Sequence, residues 1–159
     1  MASKPDPATT IQRKYYTDTA SRYDHMHAHE GGADASITKF MYALLRTQEV
    51  RTILDVGTAT GTGIRDLKQA LPDVFVCGVE PVAALVEQAV LNGNIASGPV
   101  IQATGEALPF ADASFDAVSE FATLHHAFCE LLRCQRVAEL AEPYQMRPRG
   151  SLPRTKNHY

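Results

Sequence analysis

The chain has 159 residues, of which 45% are hydrophobic and 21% charged, enough for one globular domain and little more. A net charge of −3 argues against a general binder of nucleic acid or of a membrane surface. No apolar run approaches the ~20 residues that cross a bilayer, and the opening Met1 to Pro7 lacks the apolar stretch of a secretory signal. Cys77, Cys129 and Cys134 show no zinc-finger spacing, so a cytoplasmic setting is the simplest expectation.

Residues 1–10, with Pro5 and Pro7, read as a flexible lead-in, and 11–50 as an N-terminal helical cap. Within the cap, a polar helix is expected from Ile11 through Tyr23, with Ile11, Tyr15 and Ala20 loosely on one side. His25 to Ala35 contains Gly31 and Gly32 and reads as a loop. Its His25, His27 and His29 have no supporting carboxylates for a metal and are read as solvated. Ile37, Phe40, Met41, Leu44 and Leu45 then follow the i, i+3, i+4 rhythm of a core-packed helix, with Ser36 as its cap.

Residues 51–141 alternate strand and helix signals, which predicts a parallel α/β sheet. Ile53, Leu54 and Val56 form a short apolar strand, and Gly57, Gly61 and Gly63 follow where it must turn into a helix. Ile64, Leu67 and Leu71 space that helix, which Pro72 ends. Val74 to Val79 is a second strand, stopping at Glu80-Pro81. Leu85, Ala89 and Val90 mark the next helix, Pro99 to Gln102 a brief third strand, and Phe115 to Phe121 a fourth. In such sheets ligands bind beyond the carboxyl ends of the strands, so Asp55, Glu80, Thr104 and Phe121 should converge on one edge. Glu80 follows Asp55 by 25 positions, near the ~20-residue offset of an acid that accepts hydrogen bonds from a ribose diol. The glycine spacing, Gly-x-x-x-Gly-x-Gly, matches neither the dinucleotide-binding nor the phosphate-loop pattern.

Asp55 to Gly63 resembles the first motif of the class I S-adenosylmethionine-dependent methyltransferases, with Ala59 where that family often has its middle glycine. Residues 102–118, Gln-Ala-Thr-Gly-Glu-Ala-Leu-Pro-Phe-Ala-Asp-Ala-Ser-Phe-Asp-Ala-Val, resemble the segment leading into the family's fourth strand. The resemblance covers about residues 11–127. It implies a three-layer Rossmann-like methyltransferase fold with strand order 3-2-1-4, and S-adenosyl-L-methionine as cofactor. It also implies cofactor contacts from Asp55, Gly57, Thr58, Gly61, Glu80, Pro81, Val82, Thr104, Gly105 and Glu106. Tyr15, Tyr16 and Tyr23 with Asp24 resemble the family's N-terminal helix, which folds over the cofactor. Ordinary helix packing accounts for them equally well. The reaction implied is methyl transfer to a small molecule, and His125 and His126 are the weak candidates for a base.

After Ala127 the family pattern stops. One helix is expected over Phe128 to Ala141, and 142–159, rich in proline and arginine, reads as a disordered basic tail. The expectation is an incomplete fold, strands 1–4 present and later ones missing, whose open fourth strand invites a homo-oligomeric partner. A non-catalytic cofactor-binding remnant and a nicotinamide-dependent oxidoreductase are the rival readings; the latter lacks its glycine pattern.

Overall fold

A computed structural model describes residues 7–27 and 33–120. Four strands form one wholly parallel sheet: β1 (Thr52–Val56), β2 (Phe75–Val79), β3 (Val100–Ile101) and β4 (Ala117–Ser119), in the order β3-β2-β1-β4. Leu54 pairs with Cys77 on one side and Val118 on the other. The order reverses beside β1, so its carboxyl end is the switch point where a crevice opens.

The β1 and β2 side chains alternate between two cores, as a two-residue period requires. Leu54, Val56, Cys77 and Val79 pack with Leu108 and Phe115 on one face of the sheet. Ile53 and Val76 pack with Ile64, Leu67, Leu71 and Val74 on the other, against α4 (Thr62–Ala70). The family-like segment 102–118 acquires a physical meaning here. Phe115 is buried edge-on to Phe110, with ring centroids 5.0 Å apart. Asp116 accepts hydrogen bonds from Arg51 N, Thr52 N and Thr52 Oγ1 at 2.9–3.0 Å, fastening the start of β1.

The helices depart from the sequence expectation in detail. The first, α1 (Pro7–Thr19), begins inside the expected lead-in, because proline at the first helical position sacrifices no hydrogen bond. A 3-10 turn (Ala20–Arg22) leads into α2 (Tyr23–His27), so His25 and His27, expected in a loop, are helical. His27 stacks on Tyr23 at 4.1 Å between centroids, and its Nδ1 donates to the Tyr23 carbonyl. The next helix, α3 (Ala33–Thr47), starts early enough to place Ser36 inside its first turn rather than at its cap. Of the expected stripe, Leu45 packs against the core whereas Phe40 and Leu44 are exposed, and Tyr42, outside the stripe, packs there as well. Helix α5 (Ala83–Leu91) buries Leu85 and Ala89 and leaves Val90 exposed. No helix among the described residues is long and apolar enough to cross a membrane. The expected helix over 128–141, the tail 142–159, Phe121, His125 and His126 lie outside the described residues.

Candidate functional site

The turn between β1 and α4 is bent by three left-handed residues, Gly57 (φ 78°), Ala59 (φ 49°) and Gly61 (φ 76°). Gly57 N and Thr58 N both donate to the Val79 carbonyl, at 2.8 and 3.1 Å, so the turn hangs from the end of β2. Ala59 occupies a conformation in which a Cβ costs roughly 1–2 kcal/mol, which explains why a glycine suits that position. Gly63 matters for proximity instead: a Cβ there would stand 3.2 Å from Asp55 Oδ2.

Glu80 is the centre of the arrangement. Although the residue is 5% exposed, it sits where β2 ends, and its side chain is gripped by backbone on both oxygens. Oε2 accepts from Ala59 N at 3.0 Å and Oε1 from Val82 N at 2.9 Å. Each carboxylate oxygen can accept more than one hydrogen bond, so a carboxylate fixed this way retains the capacity to receive a vicinal diol. Beside it a cleft is lined by Gly57, Ala59, Glu80, Pro81, Val82 and the loop Thr104-Gly105-Glu106. Thr104 and Ala107 bridge across that loop, Ala107 N donating to the Thr104 carbonyl at 3.0 Å. Apolar atoms of Val82 and Leu85 face a polar rim, a combination suited to a flat heterocycle carrying a sugar.

Seven of the expected contact residues thus line one cleft: Gly57, Glu80, Pro81, Val82, Thr104, Gly105 and Glu106. Asp55, Thr58 and Gly61 do not. Asp55 lies beneath the turn, 7% exposed, and accepts from Ser119 Oγ at 2.8 Å. Burial pushes its carboxyl above the usual carboxylate range, while the Ser119 and Thr58 hydroxyls oppose the rise. Thr58 Oγ1 is itself buried beside Asp55 without a hydrogen bond of good geometry. Gly61 packs towards Asn94 and Ala89, and its positive φ starts α4. These three shape the turn from behind.

The cap closes the cleft from the other side. Tyr16 and Tyr23 line it, with ring centroids 5.9 Å apart, but Tyr15 is 49% exposed and stands outside. Thr9, Gln12 and Arg13 line it too, and sequence reasoning missed them. With Tyr16 they follow i, i+3, i+4 and i+7, one face of α1, and that helical spacing was the available signal. Of the expected side, Ile11 and Tyr15 face outwards, Ile11 being 72% exposed, whereas Ala20 is buried.

Comparison with known proteins agrees with this architecture. Residues 53–143 match the family model described as "Methyltransferase domain". The chain is 30% identical over 156 residues to a demethylmenaquinone methyltransferase of Roseiflexus castenholzii, covering 89% of this chain and 65% of that one. It therefore spans slightly less than two thirds of that relative's length. A Methanococcus maripaludis structure assigned to the S-adenosylmethionine-dependent methyltransferases superposes with a TM-score of 0.66 at 13% identity, a likeness of fold alone. It covers 89% of this chain and 63% of that one. The sugar N-methyltransferase KedS8 of Streptoalloteichus superposes with a TM-score of 0.60 at 25% identity, over 76% and 49% of the two chains.

Proposed function

The chain belongs to the methyltransferase-domain family, whose cofactor is S-adenosylmethionine, and from that premise we propose that it transfers a methyl group to a small-molecule acceptor. The observation carrying this reading is Glu80, held by two backbone amides at the end of β2 and facing the cleft. Its carboxylate would accept both ribose hydroxyls. Gly57, with no Cβ, would let the methionine portion lie against the turn, with Asp55, Thr58 and Gly61 fixing the turn's shape from behind. Pro81 and Val82 would flank the adenine, and Thr104, Gly105 and Glu106 would meet its edge.

When bound, the sulfonium supplies an electrophilic methyl, so positioning and exclusion of water are the chain's main tasks. Tyr16 and Tyr23 perform the second by roofing the cleft. Where the acceptor must lose a proton, His125 or His126 would take it. A small acceptor is supported by the demethylmenaquinone methyltransferase relatives, and a cytoplasmic setting by the free thiol of Cys77. The test is incubation with methyl-labelled S-adenosylmethionine and a panel of demethylated quinones, phenols and amines. Label appearing in one acceptor class supports the reading. Tight cofactor binding with no transfer to any of them contradicts it.

A further inference from the structure

We propose that Asp24 is a positioning residue which locks the α1–α2 cap over the cleft and so sets how tightly the cofactor is held; this rests on the function proposed above. Asp24 is adjacent to Tyr23, a residue lining the cleft, but does not line it itself. Its two carboxylate oxygens reach two different parts of the domain. Oδ1 accepts from the hydroxyl of Thr60, inside the glycine turn, and Oδ2 accepts from Asn92 Nδ2, at the end of α5, at 2.8 Å. Thr60 is 1% exposed, and its carbonyl accepts from the buried Asn94 Nδ2 at 2.8 Å. One side chain therefore joins cap, turn and helix end.

The apolar contacts of the cap do not do this job. Tyr16 and Tyr23 pack on Ala20, Val82 and Leu85, and such contact is non-directional, so it tolerates sliding. Hydrogen bonds fix the register. Lifting the cap would give up the bond from the Thr60 hydroxyl to a carboxylate for one to water, and a charge-assisted bond held in place favours closure. The same turn presents Gly57 and Ala59 to the cleft. A ligand resting on the turn and a cap tied to the turn consequently stabilise the same backbone conformation, and each favours the other.

The experiment uses the full chain and three variants: Asp24→Asn, Asn92→Asp and the two combined. Asp24→Asn replaces a charged acceptor with a neutral amide, so the bonds from Thr60 and Asn92 lose their charge assistance, and Asn92→Asp sets two carboxylates together. With both changes, the amide introduced at position 24 donates to the carboxylate introduced at position 92, while its oxygen still accepts from Thr60. The pair is thereby rebuilt with its roles reversed. We expect the dissociation constant for S-adenosylhomocysteine, measured by calorimetry, to rise about tenfold in each single variant. In the double variant it should return to within about twofold of wild type. A merely structural Asp24 would lower the melting temperature while leaving affinity per folded molecule intact. Asn92 is exposed, so its variant probes the contact from the far side should Asp24→Asn fold poorly. Single variants that bind like wild type, or a double variant as weak as the singles combined, would overturn the proposal alone. Wild type that folds but binds no S-adenosylhomocysteine would overturn the functional reading with it.

Discussion

The glycine turn and the helical cap face each other across one cleft, yet they are held by opposite means. The turn is suspended from the sheet: Gly57 N and Thr58 N bond to β2, Ala59 N bonds to Glu80, and Val56, Val79 and Ile64 beneath it are at most 1% exposed. The α1–α2 part of the cap is attached through fewer buried residues. Ile11 and Tyr15 point outwards, a small cluster around Val82 and Leu85 provides apolar contact, and Asp24 adds directed bonds to the turn and to the end of α5. The difference separates two tasks. Under the proposed function, the recognition groups sit on elements anchored in the buried sheet, whereas the cover belongs to a less buried part, which is expected to open at lower cost.

Core truncation should expose this contrast most strongly. Ile64→Ala removes packing under the turn and should cost ~2–5 kcal/mol of folding free energy. Ile11→Ala in the cap should change it by less than about 0.5 kcal/mol. Denaturant unfolding of both compares the regions directly, and similar losses would erase the distinction. Next comes Glu80→Ala, which should weaken S-adenosylhomocysteine binding by ~1.5–3 kcal/mol, because a charge-assisted acceptor disappears. If titration shows the variant binding as tightly as wild type, recognition lies elsewhere. Ala59→Gly acts in the other direction. Relief of the left-handed alanine should stabilise the fold by about 1 kcal/mol, read as a higher Tm, with the Glu80 contact retained. An unchanged or lower Tm would show that the turn is not strained there.

The last effect concerns Asp55, and its sign is fixed. Burial raises its folded carboxyl above the ordinary 3.8, so the folded state keeps a proton that the unfolded chain has released. Its contribution therefore falls as pH rises from the unfolded value through the raised folded one. Asp55→Asn removes that fall. Relative to wild type, the variant should gain stability as pH rises from about 4 towards neutrality. A difference in Tm that is flat with pH, or that runs the other way, would contradict the assignment.

The sheet was legible from the residues because a parallel strand buried on both faces reads as a mainly apolar run, as Val76 to Val79 does and as Ile53 to Val56 does around Asp55. The acid at the end of β2 was legible for the same reason, since strand ends locate the cleft. Apolar periodicity misled wherever the inward face is polar. In the first helical stretch it selected Ala20, which is buried, along with Ile11 and Tyr15, which are exposed, while Thr9, Gln12, Arg13 and Tyr16 form the side turned to the cleft. On α3 it selected Leu45, which packs on the core, together with Phe40 and Leu44, which are exposed, and it passed over Tyr42, which packs there too. Asp24 was visible only as part of a resemblance, because hydrogen bonds to Thr60 and Asn92, 36 and 68 positions away, leave no local pattern. Asp116 likewise carries its meaning through β1, 64 positions earlier.

The central claim is that the cleft between the glycine turn, Glu80 and the 104–106 loop is a cofactor site specific for an S-adenosyl group. Calorimetric titration of the full chain with S-adenosylhomocysteine, and separately with NAD, tests it most directly. The account predicts saturable one-to-one binding of S-adenosylhomocysteine that Glu80→Ala weakens, with no comparable heat from NAD. Binding of NAD in preference, or S-adenosylhomocysteine affinity indifferent to Glu80, would contradict it.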